Sequence, residues 1–392
     1  MADKNYTALD AGVICGTYAR QPVVLQSGQG ATCQDENGKS YIDFTAGIGV
    51  NSLGFAYEPW VKAISAQAAS LAHISNLYYT KPQVDAAAKL CEKTGCAKVL
   101  FCNSGAEANE AALKAARKYG LQHKGGCDIV ALDNAFHGRT MGALAATPRP
   151  KYQEPFGPML AGFAFAQAGS IESLQAAVTD KTCAVWIELV QGEGGVLPMD
   201  KSYVQQAAAF CAANGLLLLV DEVQTGAGRT GSFLACEQYG ITPDIVTLAK
   251  GLGGGLPVGA ALFFGKAADI LQPGDHGTTF GGNPVVLAGV NVVLDTLTPA
   301  FLAGVQQKGE ALQKALTGFA GVQEVTGLGL MLGLRLAKPD KLGEVVSACR
   351  EKGLLVLTAQ DRLRLLPPLT ITEEETAAGL AILKQALQEV QA

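Results

Sequence analysis

The chain has 392 residues, of which 48% are hydrophobic and 17% are charged, and its formal net charge is −5. This length suits two domains, or one large core with a smaller unit. The mild acidity, with no basic run and no aromatic–basic stripe, argues against a nucleic-acid partner. No uninterrupted apolar stretch reaches the length of a membrane span, so no membrane partner is expected.

The N-terminal segment and the cysteines bear on location and metal binding. Residues 1–12, MADKNYTALDAG, are polar and carry acids, unlike a secretory signal or an Arg-rich transit peptide, so a cytoplasmic protein is expected. The ten cysteines are scattered and contain no CxxC pair. Even Cys91, Cys96 and Cys102, which lie close in sequence, lack the histidine pattern of a zinc site. Reduced thiols and no metal are therefore expected.

Short apolar runs alternate with helix-period segments along most of the chain. The runs are continuous rather than alternating, which is typical of strands buried on both faces, as in a parallel sheet. The segments between them, such as 202–215, have an apolar stripe at helical spacing. This order of elements predicts α/β layering. The predicted buried strands are KVLFC (98–102), CDIVAL (127–132), CAVWIELV (183–190), GLLLLVDEV (215–223) and DIVTLAK (244–250).

The pattern changes after about Pro284. One long helical pattern covers roughly 285–320, and the runs GLGLMLGLRL and LLVLTAQDRLRLLPP then predict antiparallel strands. A last helix is predicted to start at Thr372, where TEEE supplies a cap and first-turn acids. The chain is expected to divide into an N-terminal arm that belongs with the smaller domain or stands apart (1–45), a large domain (46–285) and a smaller α+β domain (286–392).

The strand predicted at KVLFC is followed by Ser104-Gly105-Ala106, which opens a predicted helix. Free backbone N–H groups and the positive end of the helix dipole make such a start an anion site, and Ser104 adds a hydroxyl. Phosphate is the natural ligand, although an isolated Ser-Gly more often serves as an ordinary N-cap. Neither GxxxxGK[ST] nor a GxGxxG turn after a strand occurs, so the usual nucleotide-binding loops are absent from the sequence.

Two charged residues stand at the ends of predicted buried strands. Asp221 ends the run LLLLV, and Lys250 ends the run DIVTLA just before the glycine-rich GLGGG. The carboxyl ends of parallel strands form the functional edge of such sheets, although a capping aspartate or a solvated lysine is the plainer interpretation of each alone. An amine, an acid and a phosphate site together suit pyridoxal phosphate, whose aldehyde, ring nitrogen and phosphate they would bind.

Longer motifs extend this pattern over nearly the whole chain. They are SGAEANEAALK (104–114), NAFHGRT (134–140), QGEGG (191–195), DEVQTGAGRTG (221–231), LAKGLGGGLPVGA (248–260) and HGTTFGGNP (276–284). Together they resemble the class III, or subgroup II, aminotransferases. The resemblance implies the α/β fold of the pyridoxal-phosphate-dependent aspartate-aminotransferase type (fold type I), with a mostly parallel seven-stranded sheet in the large domain and a smaller α+β domain. It also implies a homodimer whose active sites lie at the subunit interface.

The resemblance implies cofactor-binding roles for matching residues. Lys250 would bind the cofactor covalently and later carry a proton between substrate and cofactor, which requires a neutral amine. Asp221 would pair with the ring nitrogen and keep it protonated. The other implied contacts are Ser104, Gly105 and Ala106 at the phosphate, Phe136 and Val223 on the two ring faces, Gln224 at the ring hydroxyl, and Thr279, acting from the partner subunit with Thr278 beside it, at the phosphate.

Substrate-binding roles are implied in the same way. Arg139 would bind the substrate carboxylate that is remote from the reacting amine, which suits a bidentate guanidinium. Glu193 would neutralise Arg364 while the amine donor is bound and release it to bind the α-carboxylate of glutamate or 2-oxoglutarate. Weaker assignments are Tyr18 and Asn76, which would line the substrate channel, and His137, for which packing is favoured over acid–base chemistry.

Two further stretches narrow the expected substrate. GIGVNSLGF (47–55) and SNLYYT (75–80) resemble the branch that transfers the terminal amine of N2-acetylornithine to 2-oxoglutarate in arginine biosynthesis. Ile48 stands where the ornithine branch tends to have an aromatic residue, which leaves space for an acylated amine. The position is also aliphatic in the 4-aminobutyrate branch, so the alternatives are succinylornithine, succinyl-diaminopimelate and 4-aminobutyrate. A non-catalytic homologue is disfavoured because the charged site residues are present, and a nicotinamide dehydrogenase because GxGxxG is missing.

Overall fold

The computed structural model describes residues 5–391, so the first four residues of the predicted arm and the last residue of the chain lie outside the described residues. The helices are α1 (Tyr6–Val13), α2 (Ala46–Gly49), α3 (Glu58–Ser70), α4 (Lys81–Thr94), α5 (Gly105–His123), α6 (Met141–Ala145), α7 (Pro150–Gln153), α8 (Ile171–Ala177), α9 (Lys201–Ala213), α10 (Cys236–Tyr239), α11 (Pro284–Thr296), α12 (Pro299–Thr317), α13 (Leu342–Glu351) and α14 (Glu373–Gln391). Short 3₁₀ turns cover Glu154–Phe156, Lys250–Gly253, Gly265–Ala267 and Pro339–Lys341.

The strands fall where most of the apolar runs predicted them. They are β1 (Leu25–Gln29), β2 (Thr32–Asp35), β3 (Ser40–Asp43), β4 (Lys98–Cys102), β5 (Asp128–Leu132), β6 (Phe163–Ala166), β7 (Thr182–Glu188), β8 (Val190–Gln191), β9 (Leu197–Pro198), β10 (Leu217–Asp221), β11 (Ile245–Leu248), β12 (Gly259–Phe263), β13 (Val322–Leu328), β14 (Met331–Leu336), β15 (Leu354–Leu355), β16 (Leu357–Ala359) and β17 (Arg362–Leu365). The five predicted buried runs correspond to β4, β5, β7 with the start of β8, β10 and β11.

A seven-stranded sheet with the order β4-β12-β11-β10-β7-β5-β6 forms the centre of the molecule. All neighbouring strands are parallel except at β12, which runs antiparallel to both β11 and β4. The predicted α/β fold with a mostly parallel seven-stranded sheet is thus confirmed. Alternate residues of the strands enter two different apolar clusters, one on each face, which explains why the runs are continuously hydrophobic.

The sheet brings the ends of three parallel strands to one edge. Asp221, the last residue of β10, is in register with Glu188 at the end of β7 and with Thr247 in β11. Lys250 lies two residues after the end of β11 and begins a 3₁₀ turn. Helix α5, which follows β4, packs on this sheet through buried alanines, whose small side chains let the helix approach closely. The fold therefore places Asp221, Lys250 and the start of α5 at the same edge.

Two smaller four-stranded sheets are present, and one of them, with the order β1-β2-β3-β15, combines strands from both ends of the chain. Strands β13, β14, β17 and β16 pair antiparallel, as predicted for the C-terminal region. The prediction was wrong for β15, which runs parallel to β3 of the N-terminal segment. The carbonyls of Gly353 and Leu355 accept hydrogen bonds from the N–H groups of Ile42 and Phe44, so β15 belongs to the sheet that contains β3. The division into 1–45, 46–285 and 286–392 stays a prediction.

The single long helix predicted over 285–320 is wrong, because the chain forms α11 and α12 with a bend of 76° between them. The Thr298 hydroxyl accepts a hydrogen bond from the Phe301 N–H at 3.2 Å, and Pro299 occupies the first turn of α12, so a new helix starts there. Within residues 5–391, no single helix is long and apolar enough to cross a membrane, and only this bent pair passes together, by length and composition alone. The last helix starts as predicted, with the Thr372 hydroxyl accepting from the Glu375 N–H.

Candidate active site

A cavity of about 480 Å³ opens at the carboxyl ends of the central strands. It collects residues that are far apart in the sequence, because parallel strands end at one edge and α5 starts there too. Most of the predicted site residues line it: Ser104, Gly105, Ala106, Phe136, Arg139, Asp221, Val223, Gln224 and Lys250. The cavity is therefore the candidate active site.

The start of α5 forms one wall of the cavity. Ser104 is the N-cap, and its hydroxyl accepts a hydrogen bond from the Glu107 N–H at 3.2 Å, so the ordinary capping role is present. A Cβ added to Gly105 would lie 2.7 Å from Cγ1 of Val223, which shows how closely the helix start approaches that side chain. The N–H groups of Gly105 and Ala106 belong to the first turn, which has no intrahelical acceptors for them, and they are available to an anion.

Asp221 is buried and held on both of its oxygens. Oδ1 accepts a hydrogen bond from the Val223 N–H at 3.0 Å. Oδ2 accepts one from Nδ2 of Asn109 at 2.7 Å and lies 2.8 Å from Nδ1 of His137. The His137 ring stacks on Trp186 with a centroid distance of 4.2 Å. His137 therefore packs, as favoured from the sequence, but it also bonds to Asp221, a contact between residues 84 positions apart that no local pattern predicts.

Glu188 is a second buried carboxyl group at the same edge. Its Oε1 accepts a hydrogen bond from the Phe136 N–H at 2.8 Å, and its Oε2 accepts one from the Gly192 N–H at 3.3 Å. Burial raises the pKa of Glu188 to about 7, against the opposing influence of His137. Glu188 thus ties the loop that carries Phe136 to the loop that carries Gly192.

Lys250 stands on the cavity wall in a left-handed backbone conformation, with φ = +45°. Burial lowers the pKa of its amine, while the nearby charge of Glu193 acts in the opposite direction. Among residues 5–391, the amine has no hydrogen-bond or ion-pair partner. This half-buried amine differs from a solvated surface lysine, so the plainer interpretation of Lys250 is disfavoured.

Glu193 and Arg364 form an ion pair beside the cavity. Burial acts to raise the pKa of Glu193, but the charge and hydrogen bond of Arg364 outweigh it and the pKa is lowered. Nη1 of Arg364 also donates a hydrogen bond to Oε1 of Gln224 at 3.2 Å. Nε of Arg364 is buried and has no partner among the described residues. The predicted pair therefore exists, and Gln224 connects it to the cavity.

Arg139 lies exposed at the cavity mouth. Its guanidinium sits 4.0 Å from the ring centroid of Tyr152 and 5.5 Å from that of Phe136. Cation–π contacts of this kind orient a guanidinium without neutralising it. Arg139 has no ion-pair partner in the described part of the chain, so its charge is available to an anion.

Besides Glu193 and Arg364, which lie next to the cavity, four predicted site residues do not line the cavity of this chain. Tyr18 and Thr279 are exposed. Asn76 donates from Nδ2 to the carbonyl oxygen of Thr278 at 3.3 Å, and Oγ1 of Thr278 accepts a hydrogen bond from Nδ2 of Asn103 at 2.9 Å. Asn103 itself lines the cavity, so this loop is attached to the site without entering it. The roles implied for these four residues remain predictions.

Sequence reasoning overlooked Asn109 and Glu188. Asn109 lies among buried alanines of α5, and a polar residue on a buried helix face needs hydrogen-bond partners, which was the available signal. Glu188 ends a continuous apolar run, as Asp221 does, and the same argument about strand ends applies to it. Neither residue could be connected to its partners without the tertiary structure.

An α/β fold whose cavity holds an amine, a carboxylate and a helix start is typical of a pyridoxal-phosphate-dependent enzyme. Comparison with known proteins gives the same class. A family model for aminotransferase class-III matches residues 16–387, so the chain belongs to this family.

Individual aminotransferases are similar to the chain over nearly its full length. The chain is 45% identical over 393 residues to the acetylornithine aminotransferase of Haemophilus ducreyi and 44% identical over 401 residues to that of Methanocaldococcus jannaschii, each covering 100% of both chains. Among solved structures, it is similar to an ornithine aminotransferase from Toxoplasma gondii, with a TM-score of 0.93 and 31% identity, covering 98% of this chain and 94% of that one. That structure shows partial occupancy of pyridoxal phosphate (PLP) at its active site. An N-acetylornithine aminotransferase from Stenotrophomonas maltophilia gives a TM-score of 0.84 at 34% identity, covering 97% and 98% of the two chains.

Proposed function

We propose that this chain is a PLP-dependent aminotransferase that transfers the terminal amino group of N2-acetyl-L-ornithine to 2-oxoglutarate. The products are N-acetyl-L-glutamate 5-semialdehyde and L-glutamate, and the reaction serves arginine biosynthesis. The observation that carries the proposal is the meeting of Lys250, Asp221 and the start of α5 in one cavity. The full-length identity of 45% to a curated acetylornithine aminotransferase supports the choice of substrate.

The groups around the cavity fit PLP. The first turn of α5 and the Ser104 hydroxyl suit the phosphate, and Asp221 suits a protonated ring nitrogen. Phe136 and Val223 offer apolar surfaces for the ring, and Lys250 offers an unpartnered amine for the aldehyde. When bound, the cofactor supplies that aldehyde and an electron-accepting ring that stabilises negative charge on the substrate carbon.

Lys250 and Asp221 perform complementary tasks. The Lys250 amine acts first as a nucleophile and then as a base that removes a proton from the carbon bearing the substrate amine. The lowered pKa of Lys250 keeps more of this amine neutral at a given pH. Asp221 contributes a fixed negative charge, because both of its oxygens are held by hydrogen bonds from the protein.

Three charged side chains explain how one cavity accepts two different substrates. Both substrates carry a carboxylate that is remote from the reacting carbon, and Arg139 binds this carboxylate. With N2-acetylornithine, the reacting end has no carboxylate, and Glu193 keeps the Arg364 charge neutralised. With 2-oxoglutarate, Arg364 exchanges Glu193 for the α-carboxylate, and its unpartnered Nε gains an acceptor in a bidentate contact.

A homodimer with shared active sites is part of this proposal. Leu77, Tyr79 and Phe280 are 87%, 97% and 62% exposed in the single chain, which favours an interface in this region. Thr279, exposed beside Phe280, would then contact the phosphate held by the partner subunit.

The cysteines are free thiols, which supports a reducing cytoplasm as the location.

The substrate assignment is tested by relative rates. The purified protein is incubated with 2-oxoglutarate and, in parallel, with N2-acetylornithine, N2-succinylornithine, ornithine or 4-aminobutyrate at equal concentrations, and L-glutamate is measured. N2-acetylornithine is expected to react fastest and ornithine far more slowly. A faster reaction with 4-aminobutyrate would contradict the assignment, and a faster reaction with N2-succinylornithine would replace the acetyl group by succinyl.

A further inference from the structure

Asn109 is a buried polar residue that touches several parts of the site. We propose that Asn109 is a positioning residue, which holds Asp221 in the orientation that the reaction requires, and that the Thr247 hydroxyl holds the Asn109 side chain in place. This inference rests on the proposed function, because it concerns the placement of Asp221 relative to the cofactor. It assigns a role to Thr247, which lies outside the cavity lining.

All polar atoms of the Asn109 side chain are engaged. Asn109 is 1% exposed and lies on the second turn of α5. Its Nδ2 donates one hydrogen bond to Oδ2 of Asp221 at 2.7 Å and another to the carbonyl oxygen of His137 at 2.6 Å. Its Oδ1 accepts a hydrogen bond from Oγ1 of Thr247 at 2.6 Å. Both amide hydrogens are therefore used, and the side chain has one satisfied orientation.

Thr247 completes the hydrogen bonding of that orientation. If the Asn109 amide were rotated by half a turn, its carbonyl oxygen would face the carboxylate of Asp221, and two acceptors would be in contact. The acceptor oxygens of Asp221 and His137 exclude this rotation, and the Thr247 hydroxyl supplies the donor that Oδ1 of Asn109 needs in the orientation that remains. Thr247 is 1% exposed and is the register neighbour of Asp221 on the adjacent strand. Among the described residues, the Thr247 hydroxyl bonds to Asn109, and this side chain links it to the cavity.

Asn109 joins the elements that carry the main groups of the site. Helix α5 begins with the anion site at Ser104, β10 ends with Asp221, and β11 leads into Lys250. The bond to the His137 carbonyl adds the loop that bears Phe136 and Arg139. Asn109 thus fixes the ring-nitrogen partner relative to the phosphate site and the amine, and small errors in such placement lower catalytic rates strongly.

The test uses a matched pair of substitutions at Thr247. Thr247→Val keeps the shape and the β-branch but removes the hydroxyl, and Thr247→Ser keeps the hydroxyl. Thr182→Val serves as a control, because Thr182 is equally buried in the same sheet but stands at the opposite end of β7. Each holoenzyme is mixed with saturating N2-acetylornithine, and the disappearance of the visible cofactor band is followed in a single turnover. Visible circular dichroism of the bound cofactor and the melting temperature are recorded on the same samples.

We expect Thr247→Val to slow the single turnover by roughly tenfold or more and to change the visible circular dichroism. Thr247→Ser is expected to stay within about twofold of the wild type, since it retains the hydrogen-bond donor. Thr182→Val is expected to lower the melting temperature about as much as Thr247→Val, with wild-type turnover and circular dichroism. If Thr247→Val does not fold, Thr247→Ala, which also removes the donor, takes its place.

The proposal is overturned if Thr247→Val retains the wild-type rate and circular dichroism. It is also overturned if Thr247→Ser and Thr247→Val slow the turnover equally, because the hydroxyl would then be irrelevant. Failure of the proposed function has a different appearance. In that case the wild-type protein itself binds no cofactor, or its visible band does not respond to N2-acetylornithine.

Discussion

Lys250 shows how burial can prepare one side chain for chemistry. The backbone is left-handed at this residue, and the amine lies on the cavity wall without a partner among residues 5–391. Burial lowers the pKa of the amine below the ordinary 10.5 of a lysine. The unfolded chain holds the Lys250 proton up to the ordinary pKa of a lysine, whereas the folded chain loses it at a lower pH. Between these two pKa values, the contribution of Lys250 to the stability of the fold therefore rises with pH.

Cofactor uptake by the apoprotein should follow this lowered pKa. The neutral amine is the reactive form, so the rate of uptake should increase with pH and level off below 10.5. Stopped-flow absorbance after mixing with PLP, from mildly acidic to alkaline pH, gives the profile. Nα-acetyl-lysine amide provides the reference, and a protein profile that coincides with this reference would show that burial has no effect on the amine.

The residues that the local pattern could predict were those at strand ends, whereas Phe136 and Arg139 were assigned only through the family resemblance. Asp221 and Lys250 follow buried apolar runs, and parallel strands bring their carboxyl ends to one edge whatever the details of packing. Asn109 could not be assigned a role, because its partners Asp221 and Thr247 come from different strands. Thr279 is a different case, because its implied role depends on a second subunit.

The turn α2 is an element under strain. Ala46, Gly47, Ile48 and Gly49 all have positive φ, so this stretch is a left-handed turn rather than a normal helix. Oδ1 of Asp43 accepts hydrogen bonds from the N–H groups of Thr45 and Ala46 and holds the start of the turn. A β-branched residue such as Ile48 is an outlier at φ = +66°. The turn thus presents Ile48 at the surface at a cost in stability.

Ile48→Gly is expected to leave stability unchanged or raise it by up to about 1 kcal/mol, since relief of strain outweighs the added chain entropy. Val61→Gly is the matched control, because Val61 is similarly exposed but lies in the normal helix α3. That control should lose about 1 kcal/mol. Urea unfolding of both variants measures the difference, and an equal loss of stability in both would show that Ile48 is not strained.

The positions of single strands could be predicted better from local patterns than the pairing of strands could. The buried strands follow from continuous apolar runs, because strands covered on both faces need no polar side. The break between α11 and α12 was missed although Thr298 and Pro299 mark a helix start, because the apolar pattern continues across it. The pairing of β15 with β3 has no local signature, since it joins residues from opposite ends of the chain.

The molecule as a whole exposes apolar surface next to the candidate active site. Tyr78 and Tyr79 precede α4, and Phe280 lies on the loop that carries Thr279. This loop is bonded to Asn103, which lines the cavity of the same chain. In the proposed dimer, the loop would therefore connect the site of its own subunit with that of the partner.

Mixing two inactive variants tests whether the sites are shared. In a dimer of Lys250→Ala and Thr279→Ala chains, one site would combine an intact Lys250 with an intact Thr279 from the other subunit. Random re-association should make about a quarter of the sites intact in this way. L-glutamate formation after unfolding and refolding the mixture is compared with that of each variant alone. If Thr279 serves its own subunit, the mixture gains no activity over the mean of the two.

The most direct test that this chain is a PLP-dependent aminotransferase is the absorbance spectrum of the purified protein with PLP, before and after N2-acetylornithine is added. We expect a visible band that disappears with N2-acetylornithine and returns with 2-oxoglutarate. The Lys250→Ala variant should fold and show no such cycle, whereas Lys98→Ala, a change at an exposed lysine, should behave as wild type. A wild-type protein with no visible band, or a Lys250→Ala variant that cycles normally, would contradict the proposed function.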